Sequence, residues 1–363
     1  MQHWQETLSY DFSNPMIDST FTPDAIFFDI ETTGFSPART SLYLIGCAVR
    51  KGQILVIDQF FADAPSEEQD VLLSFFSLLE QYQTIISFNG IGFDIPYLKS
   101  KCETYGIKEP FSSHEFLDIY KQVTKMKSLL HLPNLKQKSI EQFLGMERED
   151  IYNGGELIEI YHRYVRTASE RDLALLRQHN YEDVLDMPQL LTVLSYPHLL
   201  GGDFEITSLY ANEFTSYEGA TEKELIFELK NLHHLPAPVS CKKEDFYLMA
   251  SGYESKLVVR LYTGELKFFF SDYKNYFYLP DEDYAVPKSL AGGIAKEHKK
   301  KATASTCYTR KNAIFLPQYG AVLSPAFRAM YRDKKSYFEL SEEFVASKEM
   351  QKEYLLHVFS YLM

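Results

Sequence analysis

The chain has 363 residues, 45% hydrophobic and 15% aromatic, which is core material for two domains of ordinary size and excludes a disordered protein. Its net charge of −13 argues at first against a polyanionic partner, yet residues 1–200 carry 16 Lys+Arg against 28 Asp+Glu while residues 201–363 carry 21 against 22. No apolar run approaches the roughly 20 residues that a membrane span needs.

Residues 1–23 look like an irregular lead-in without the basic and apolar regions of a signal peptide. Ala25 to Phe35 then runs Ala-Ile-Phe-Phe-Asp-Ile-Glu-Thr-Thr-Gly-Phe, an apolar, β-prone run that predicts a buried central strand. Side chains two apart on a strand share a face, so Asp29 and Glu31 project together from its end. Two adjacent carboxylates repel each other, and a divalent metal is the commonest partner that makes such a pair favourable. Gly34 permits a sharp turn after them. Ser41 to Val49 and Gln53 to Phe61 are apolar runs split by Lys51-Gly52, which predicts a hairpin.

Ser66 to Gln81 has helical spacing, with Ser66 as the expected N-cap. Thr84 to Phe88 predicts a short strand, Phe93 to Tyr105 a helix closed by Gly106, and Phe116 to Ile119 another strand. Asp94 stands where that helix begins, after the loop that carries Asn89, and its plain reading is an N-cap. Asp118 is expected at an edge or a helix start rather than as a ligand. Leu135 to Leu144 predicts a helix closed by Gly145, and Ser169 to Leu191 a long one. On the long helix His179 and Asp183 lie four apart, on a face that Leu176 and Leu190 mark as core-facing. A structural His–Asp pair is the bland alternative.

The four carboxylates together point further than any one of them. Asp29, Glu31, Asp94 and Asp183 form an oxygen-rich set that selects Mg²⁺ or Mn²⁺. Two such ions support phosphodiester hydrolysis, with His179 as general base toward the attacking water.

After Pro197 and Gly201-Gly202 the pattern shifts. Thr221 to Leu232 predicts a helix, Phe246 to Leu279 strands with a turn at Thr263-Gly264, and Ser336 to Met363 one or two closing helices. Lys288 to Lys335 holds 11 basic residues against Glu297 and Asp333, a local balance of +9. Its lysine run Lys299, Lys300, Lys301, and the interleaved Tyr308, Phe315, Tyr319, Phe327 and Tyr331, have the composition of a single-strand binding groove. The alternative is a solvated charge run beside core aromatics. His233-His234 near Cys241 is too sparse a set to imply a metal. The four separated cysteines imply no disulfide and a reducing, cytoplasmic setting.

Asp-Ile-Glu-Thr-Thr-Gly at 29–34, Asn-Gly-x-x-Phe-Asp at 89–94 and His-Asn-x-Glu-Asp-Val-Leu at 179–185 resemble the three exonuclease motifs of the DnaQ-like (DEDD) nucleases, and the last motif is most similar to the YprB-type ribonuclease-H-like branch. The resemblance spans about residues 24–195. It implies an α/β, ribonuclease-H-like mixed sheet flanked by helices over 24–196; the shift in pattern after Gly202, not the resemblance, predicts a second α+β domain over 203–363. It further implies two Mg²⁺ or Mn²⁺ ions on Asp29, Glu31, Asp94 and Asp183, with His179 at the water-orienting position. The implied activity is 3′-to-5′ hydrolysis of a single-stranded DNA or RNA end. Thr32, Gly34, Phe35 and Asn89 are then expected at the substrate, with Phe35 stacking on the terminal base; a half-buried loop aromatic at Phe35 and a plain turn residue at Asn89 are the alternatives, and composition alone puts Lys299, Lys300 and Lys301 on the strand. The family's histidine subgroup has four residues between His and Asp, whereas three separate His179 from Asp183. Tyr181 with Asp186 is the alternative register. A structure-specific endonuclease using the same site, and a non-catalytic nucleic-acid-binding protein, remain the alternatives.

Overall fold

The computed structural model describes residues 1–147, 152, 154–215, 219 and 221–363. These divide into two compact units, the first made of residues 1–127, 131–197 and 235–237, the second of 128–130, 198–234 and 238–363.

The first unit is built on β1 (Gln2–Ser9), α1 (Pro15–Thr20), β2 (Ala25–Thr32), β3 (Leu42–Lys51) and β4 (Ile54–Phe61). It continues through α2 (Glu68–Leu79), β5 (Thr84–Ser87), α3 (Asp94–Tyr105), β6 (Glu115–Asp118) and α4 (Ile119–Thr124). The short helix α5 (Lys127–Leu130) falls with the second unit apart from its first residue. The first unit then resumes with α6 (Gln137–Phe143), α7 (Gly154–Thr167) and α8 (Glu170–Leu190). Its six strands form one mixed sheet in the order β1-β4-β3-β2-β5-β6. The β1–β4, β4–β3 and β3–β2 pairs are antiparallel, and β2–β5 and β5–β6 are parallel.

Strand alternation gives the sheet two faces, each with its own core. Ile26, Phe28 and Ile30 join Phe75 of α2 and Leu98 of α3 in one core. On the sheet's other side, Tyr43 and Phe61 pack with Tyr161 and Tyr164 of α7 and Leu176 of α8 in a second core. Helices thus flank the mixed sheet, as expected.

The N-terminus departs from the expected irregular lead-in. Residues 2–9 form a strand, and β1 pairs along β4 from Gln2↔Phe61 to Ser9↔Ile54. An edge strand with a largely exposed face carries little apolar alternation, and its partner lies some 50 residues away, so no local signal marks it. The helix α2 begins at Glu68, after a 3₁₀ turn over Pro65–Glu67, so Ser66 is not its cap. A further helix, α7, lies outside the elements expected from the pattern, although Leu157, Ile160, Tyr161 and Tyr164 mark its buried face at helical spacing.

The second unit contains residues 198–201 of α9 (Ser195–Gly201), then β7 (Phe204–Thr215), β8 (Thr221–Lys243), β9 (Phe246–Arg260), β10 (Tyr262–Phe269), β11 (Tyr276–Leu279) and β12 (Tyr284–Pro287). It ends with β13 (Lys300–Lys301), β14 (Tyr308–Tyr319), β15 (Ala326–Phe327), β16 (Lys335–Glu339), α10 (Glu342–Ala346) and α11 (Lys348–Leu362). The strands form three sheets, β7-β8-β9, β10-β14-β16-β15 and β12-β11-β13.

Thr221 to Leu232 is strand, not helix. Its Glu, Lys and Leu content favours a helix locally, but Phe227, Leu229 and Asn231 are buried in alternation with Glu228, Lys230 and Leu232. Pairing along β7, from Phe204↔Asn231 to Thr215↔Thr221, overrides that propensity. Thr263-Gly264 is not a turn either, because Gly264 lies inside β10 and pairs with Ala313, and the break falls at Leu261. The expected closing helices begin only after β16, at Glu342.

Candidate functional site

The site forms at the C-terminal end of β2. Asp29 and Glu31 leave the strand on the face opposite Phe28 and Ile30. Opposite Asp29 on β3 stands Gly46. A Cβ there would lie 2.1 Å from Asn180 Oδ1, so only glycine admits the Asn180 side chain of α8. Asn180 is fully buried, donates to Asp29 Oδ2 at 3.4 Å and accepts from Gln59 Nε2 at 3.1 Å. Gln59 also donates to the Arg177 carbonyl at 2.9 Å, which ties α8 to β4 beneath the site.

Asp94 arrives from the other side. It is buried at the first residue of α3, where Phe93 occupies the cap position, so the N-cap reading of Asp94 does not hold. Its Oδ1 instead accepts from the Ile30 backbone N–H at 3.3 Å, which docks it against β2 between Asp29 and Glu31. The loop that delivers Asp94 is held by Asp118 at the tip of β6. The Asp118 carboxylate accepts from the Asn89 N–H at 3.0 Å, the Ile91 N–H at 3.1 Å and the Lys121 N–H at 3.3 Å. Asp118 is thus the N-cap of α4 and the anchor of this loop, as its helix-start reading anticipated. Asn89 adopts φ +66, a left-handed conformation that asparagine tolerates better than most residues.

His179 and Asp183 complete the set from α8. His179 Nε2 lies 3.4 Å from Glu31 Oε1 and 3.3 Å from Asp183 Oδ2. Ligating atoms of Glu31, His179 and Asp183 all fall within 4.8 Å of one another. Tyr181 turns elsewhere, its hydroxyl donating to Glu6 at 3.0 Å, so His179 rather than Tyr181 faces the carboxylates. The Tyr43 ring stacks on that of Tyr161 with centroids 4.2 Å apart, and its hydroxyl lies 3.5 Å from Glu31 Oε2.

Burial and mutual proximity make the cluster electrostatically unfavourable by itself. Burial pushes the Asp29 carboxyl well above its ordinary value, with Asp183, Asp94 and Glu31 adding repulsion. Burial raises Glu31 to about 7, with His179 opposing and Asp183 and Asp94 reinforcing. Asp94 is likewise pushed up to about 7 by burial, against its backbone hydrogen bonds. Like charges 4 Å apart repel by about 4 kcal/mol at an effective dielectric near 20. An oxygen-rich set supplemented by one imidazole, with Glu31, His179 and Asp183 within 4.8 Å of one another, fits hard divalent cations.

The lip of the site is the segment after β2. Gly34 takes φ +150, and a Cβ on it would meet Thr40 Cγ2 at 2.9 Å. Thr32 Oγ1 donates to the Gly34 carbonyl at 2.9 Å. Phe35 beyond it is 89% exposed and touches Phe93 edge-to-face at 5.9 Å. A buried ion pair anchors this segment: Lys101 Nζ reaches Glu68 Oε1 at 2.8 Å and the Thr40 carbonyl at 2.6 Å.

The structure therefore brings together Asp29, Glu31, Asp94, His179 and Asp183, with Thr32, Gly34, Phe35 and Asn89 on the segments that lead into them. Sequence reasoning missed Asn180, Gly46, Tyr43 and Gln59. Asn180 lies inside the third motif, so its position next to His179 was the available signal. Gly46, Tyr43 and Gln59 have no local signal, because their roles arise from strand register.

Lys299, Lys300 and Lys301 lie in the second unit. Lys299 Nζ donates to the Ala291 carbonyl at 2.7 Å, and Lys300 and Lys301 are exposed on β13. The aromatics expected to form a stacking groove are mostly core, since Tyr308, Phe315 and Phe327 are buried. Tyr319 is stacked on Tyr361 at 3.8 Å. Of the five, Tyr331 alone is exposed, at 43%. The four cysteines are buried and free. No helix among the described residues is long and apolar enough to cross a membrane.

Residues 26–195 match the family model of the RNase_H superfamily. No curated protein matches the chain. Among solved structures, E. coli exonuclease I in complex with a dT13 oligonucleotide is similar at 13% identity over 57% of this chain and 55% of that one, with a TM-score of 0.29. The zinc-bound complex of the same enzyme with single-stranded DNA gives 14%, 58%, 55% and 0.29. The family B DNA polymerase of Pyrobaculum calidifontis is similar at 13% identity over 93% of this chain and 45% of that one, with a TM-score of 0.42. The chain thus aligns with about half the length of the exonuclease I chains.

Proposed function

We propose, from the RNase_H superfamily domain carried by residues 26–195, that the chain is a divalent-metal-dependent nuclease that shortens a nucleic acid strand from its 3′ end. The observation that carries this reading is the convergence of Asp29, Glu31, Asp94 and Asp183 with His179 at one strand end, three of the carboxylates being raised by burial, with repulsion from their neighbours in the set adding to it at Asp29 and Glu31. The 3′-to-5′ direction is supported by the likeness of the three motifs to the DnaQ-like exonucleases.

In this reading the four carboxylates hold two Mg²⁺ or Mn²⁺ ions. Such ions, when bound, neutralise the scissile phosphate and acidify the attacking water. Every other contribution comes from the chain. His179, set between Glu31 and Asp183 at 3.4 and 3.3 Å, accepts the proton of the attacking water. Asn180 orients Asp29, and the Tyr43 hydroxyl orients Glu31. Phe35 offers an exposed ring on which a terminal base stacks without sequence preference.

The test uses 5′-labelled single-stranded DNA and RNA with Mg²⁺ or Mn²⁺. The wild-type chain should yield a ladder that shortens from the 3′ end. Asp29→Asn should lower the rate by about 10³-fold or more, the scale of losing a preorganised electrostatic group. Undiminished degradation by Asp29→Asn overturns the assignment, and cleavage of a circular strand favours an endonuclease on the same site.

A further inference from the structure

A second convergence of ligating atoms lies wholly in the second unit and takes no part in the chemistry above. His198 lies in the helix α9, Asp203 follows the Gly201-Gly202 turn, and His233 lies 30 residues on, in β8. His198 Nδ1 lies 2.6 Å from Asp203 Oδ2, and His233 Nε2 lies 3.5 Å from the same oxygen. The two imidazoles stand 4.7 Å apart, tilted by 57°. The three ligating atoms fall within 4.8 Å of one another.

The backbone holds this arrangement in place. The Asp203 N–H donates to the His198 carbonyl at 3.0 Å, and the Leu232 N–H donates to the Asp203 carbonyl at 3.0 Å, beside His233. Gly202 makes the turn at φ +108, and a Cβ there would press on Lys352 Cε at 3.1 Å and Leu356 Cδ2 at 3.3 Å. Two segments distant in sequence are thus fixed so that two ring nitrogens meet one carboxylate oxygen.

We propose that His198, Asp203 and His233 form a site for a divalent transition metal of the Zn²⁺ type, bound through His198 Nδ1, Asp203 Oδ2 and His233 Nε2, with the remaining coordination open. Metal–ligand bonds of about 2.0–2.2 Å place tetrahedral ligands roughly 3.3 Å apart, a spacing that the 2.6 and 3.5 Å separations bracket. Two imidazoles with one carboxylate select such ions over Mg²⁺, in contrast to the oxygen-rich set of the first unit. The neighbouring candidates do not supply a fourth ligand. His234 turns to Tyr253, with ring centroids 5.1 Å apart, and Cys241 is buried, with its thiol pushed up by that burial. The bound ion would staple the α9–β7 turn to β8.

The test is Zn²⁺ titration by calorimetry of the full chain stripped with EDTA, with Co²⁺ as a visible-absorption probe. The wild-type chain should bind an equivalent of Zn²⁺ that the His198→Ala/His233→Ala variant lacks, and the Co²⁺ absorption that accompanies that equivalent should be lost with it. Asp183→Asn, which alters the acidic site, should leave the His198- and His233-dependent equivalent of Zn²⁺ and of Co²⁺ in place. The single variants His233→Gln and Asp203→Asn guard against misfolding and should weaken Zn²⁺ binding while melting in EDTA as the wild-type chain does. Equal Zn²⁺ stoichiometry and equal Co²⁺ spectra in the wild-type and double-histidine chains overturn the proposal. Because neither readout involves strand cleavage, its failure is distinguishable from failure of the nuclease reading.

Discussion

In the first unit Asp29, Glu31, Asp94 and Asp183 converge on one strand end, and burial raises three of them. In the second unit three cations of the basic stretch from Lys288 to Lys335 pair with carboxylates. Arg310 reaches Glu265 at 3.4 Å and Asp283 at 3.8 Å, Lys311 reaches Glu339 at 2.5 Å, and Lys335 pairs with Asp245. Charge that meets its own partner is satisfied locally and adds little beyond surface stability. Charge that is gathered, buried and mutually repelling is destabilising until something of opposite sign joins it. The difference separates a concentration of buried acidic residues from a basic stretch in which Arg310, Lys311 and Lys335 already meet carboxylates of their own.

The largest effect expected from this contrast is at Asp183. Mn²⁺ should raise the melting temperature of the wild-type chain, and Asp183→Asn should remove that rise and abolish metal-dependent strand degradation. A ligand at 100 times its dissociation constant stabilises by about 2.7 kcal/mol, so calorimetry resolves the loss. The metal-free wild-type chain should lose stability as pH rises from about 4.5 through 7. Glu31 and Asp94 keep protons in the folded state, with values near 7, that the unfolded chain has already released, so the folded form binds more protons across this window. A metal-free melting temperature that climbs over the same window would contradict the repulsive cluster.

Next in size is Gly46→Ala. The new Cβ would collide with Asn180, 2.1 Å away, at a cost of about 1–3 kcal/mol. Shifting Asn180 releases Asp29, so activity should fall by about 10- to 100-fold. A variant that melts and cleaves like the wild-type chain would show that Asn180 does not position Asp29.

The smallest effect is expected from changing Lys299, Lys300 and Lys301 together to Glu. Lys300 and Lys301 are exposed and carry no ion pair among the described residues, unlike the paired cations around them. Strand binding should weaken, and the salt slope should flatten by about 0.7 for each phosphate that the protein ceases to neutralise. A slope that does not change would place all of this stretch among the satisfied charges.

Much of the site was legible in the chain itself. The apolar run into Asp29 and Glu31, the helix opening at Asp94 and the four-residue step from His179 to Asp183 are local patterns, and local periodicity carries them. Ambiguities of role were a different matter. Whether Asp94 caps a helix or faces β2, and whether His179 or Tyr181 turns inward, depended on the positions of Ile30, Glu31 and Glu6.

What the sequence by itself determined is the set of chemical groups, the central strand, most of the helices of the first unit and the excess of like charge that calls for a cation. Only the tertiary structure decided the edge strand at Gln2–Ser9, the strand at Thr221–Lys243 that local propensity favours as helix, and the burial of Tyr308, Phe315 and Phe327. It also decided the pocket that Gly46 opens for Asn180 and the meeting of His198, Asp203 and His233. The physical reason is the same in each case. Strand pairing and side-chain convergence join residues far apart in the chain, and neither periodicity nor propensity within a short window carries that information.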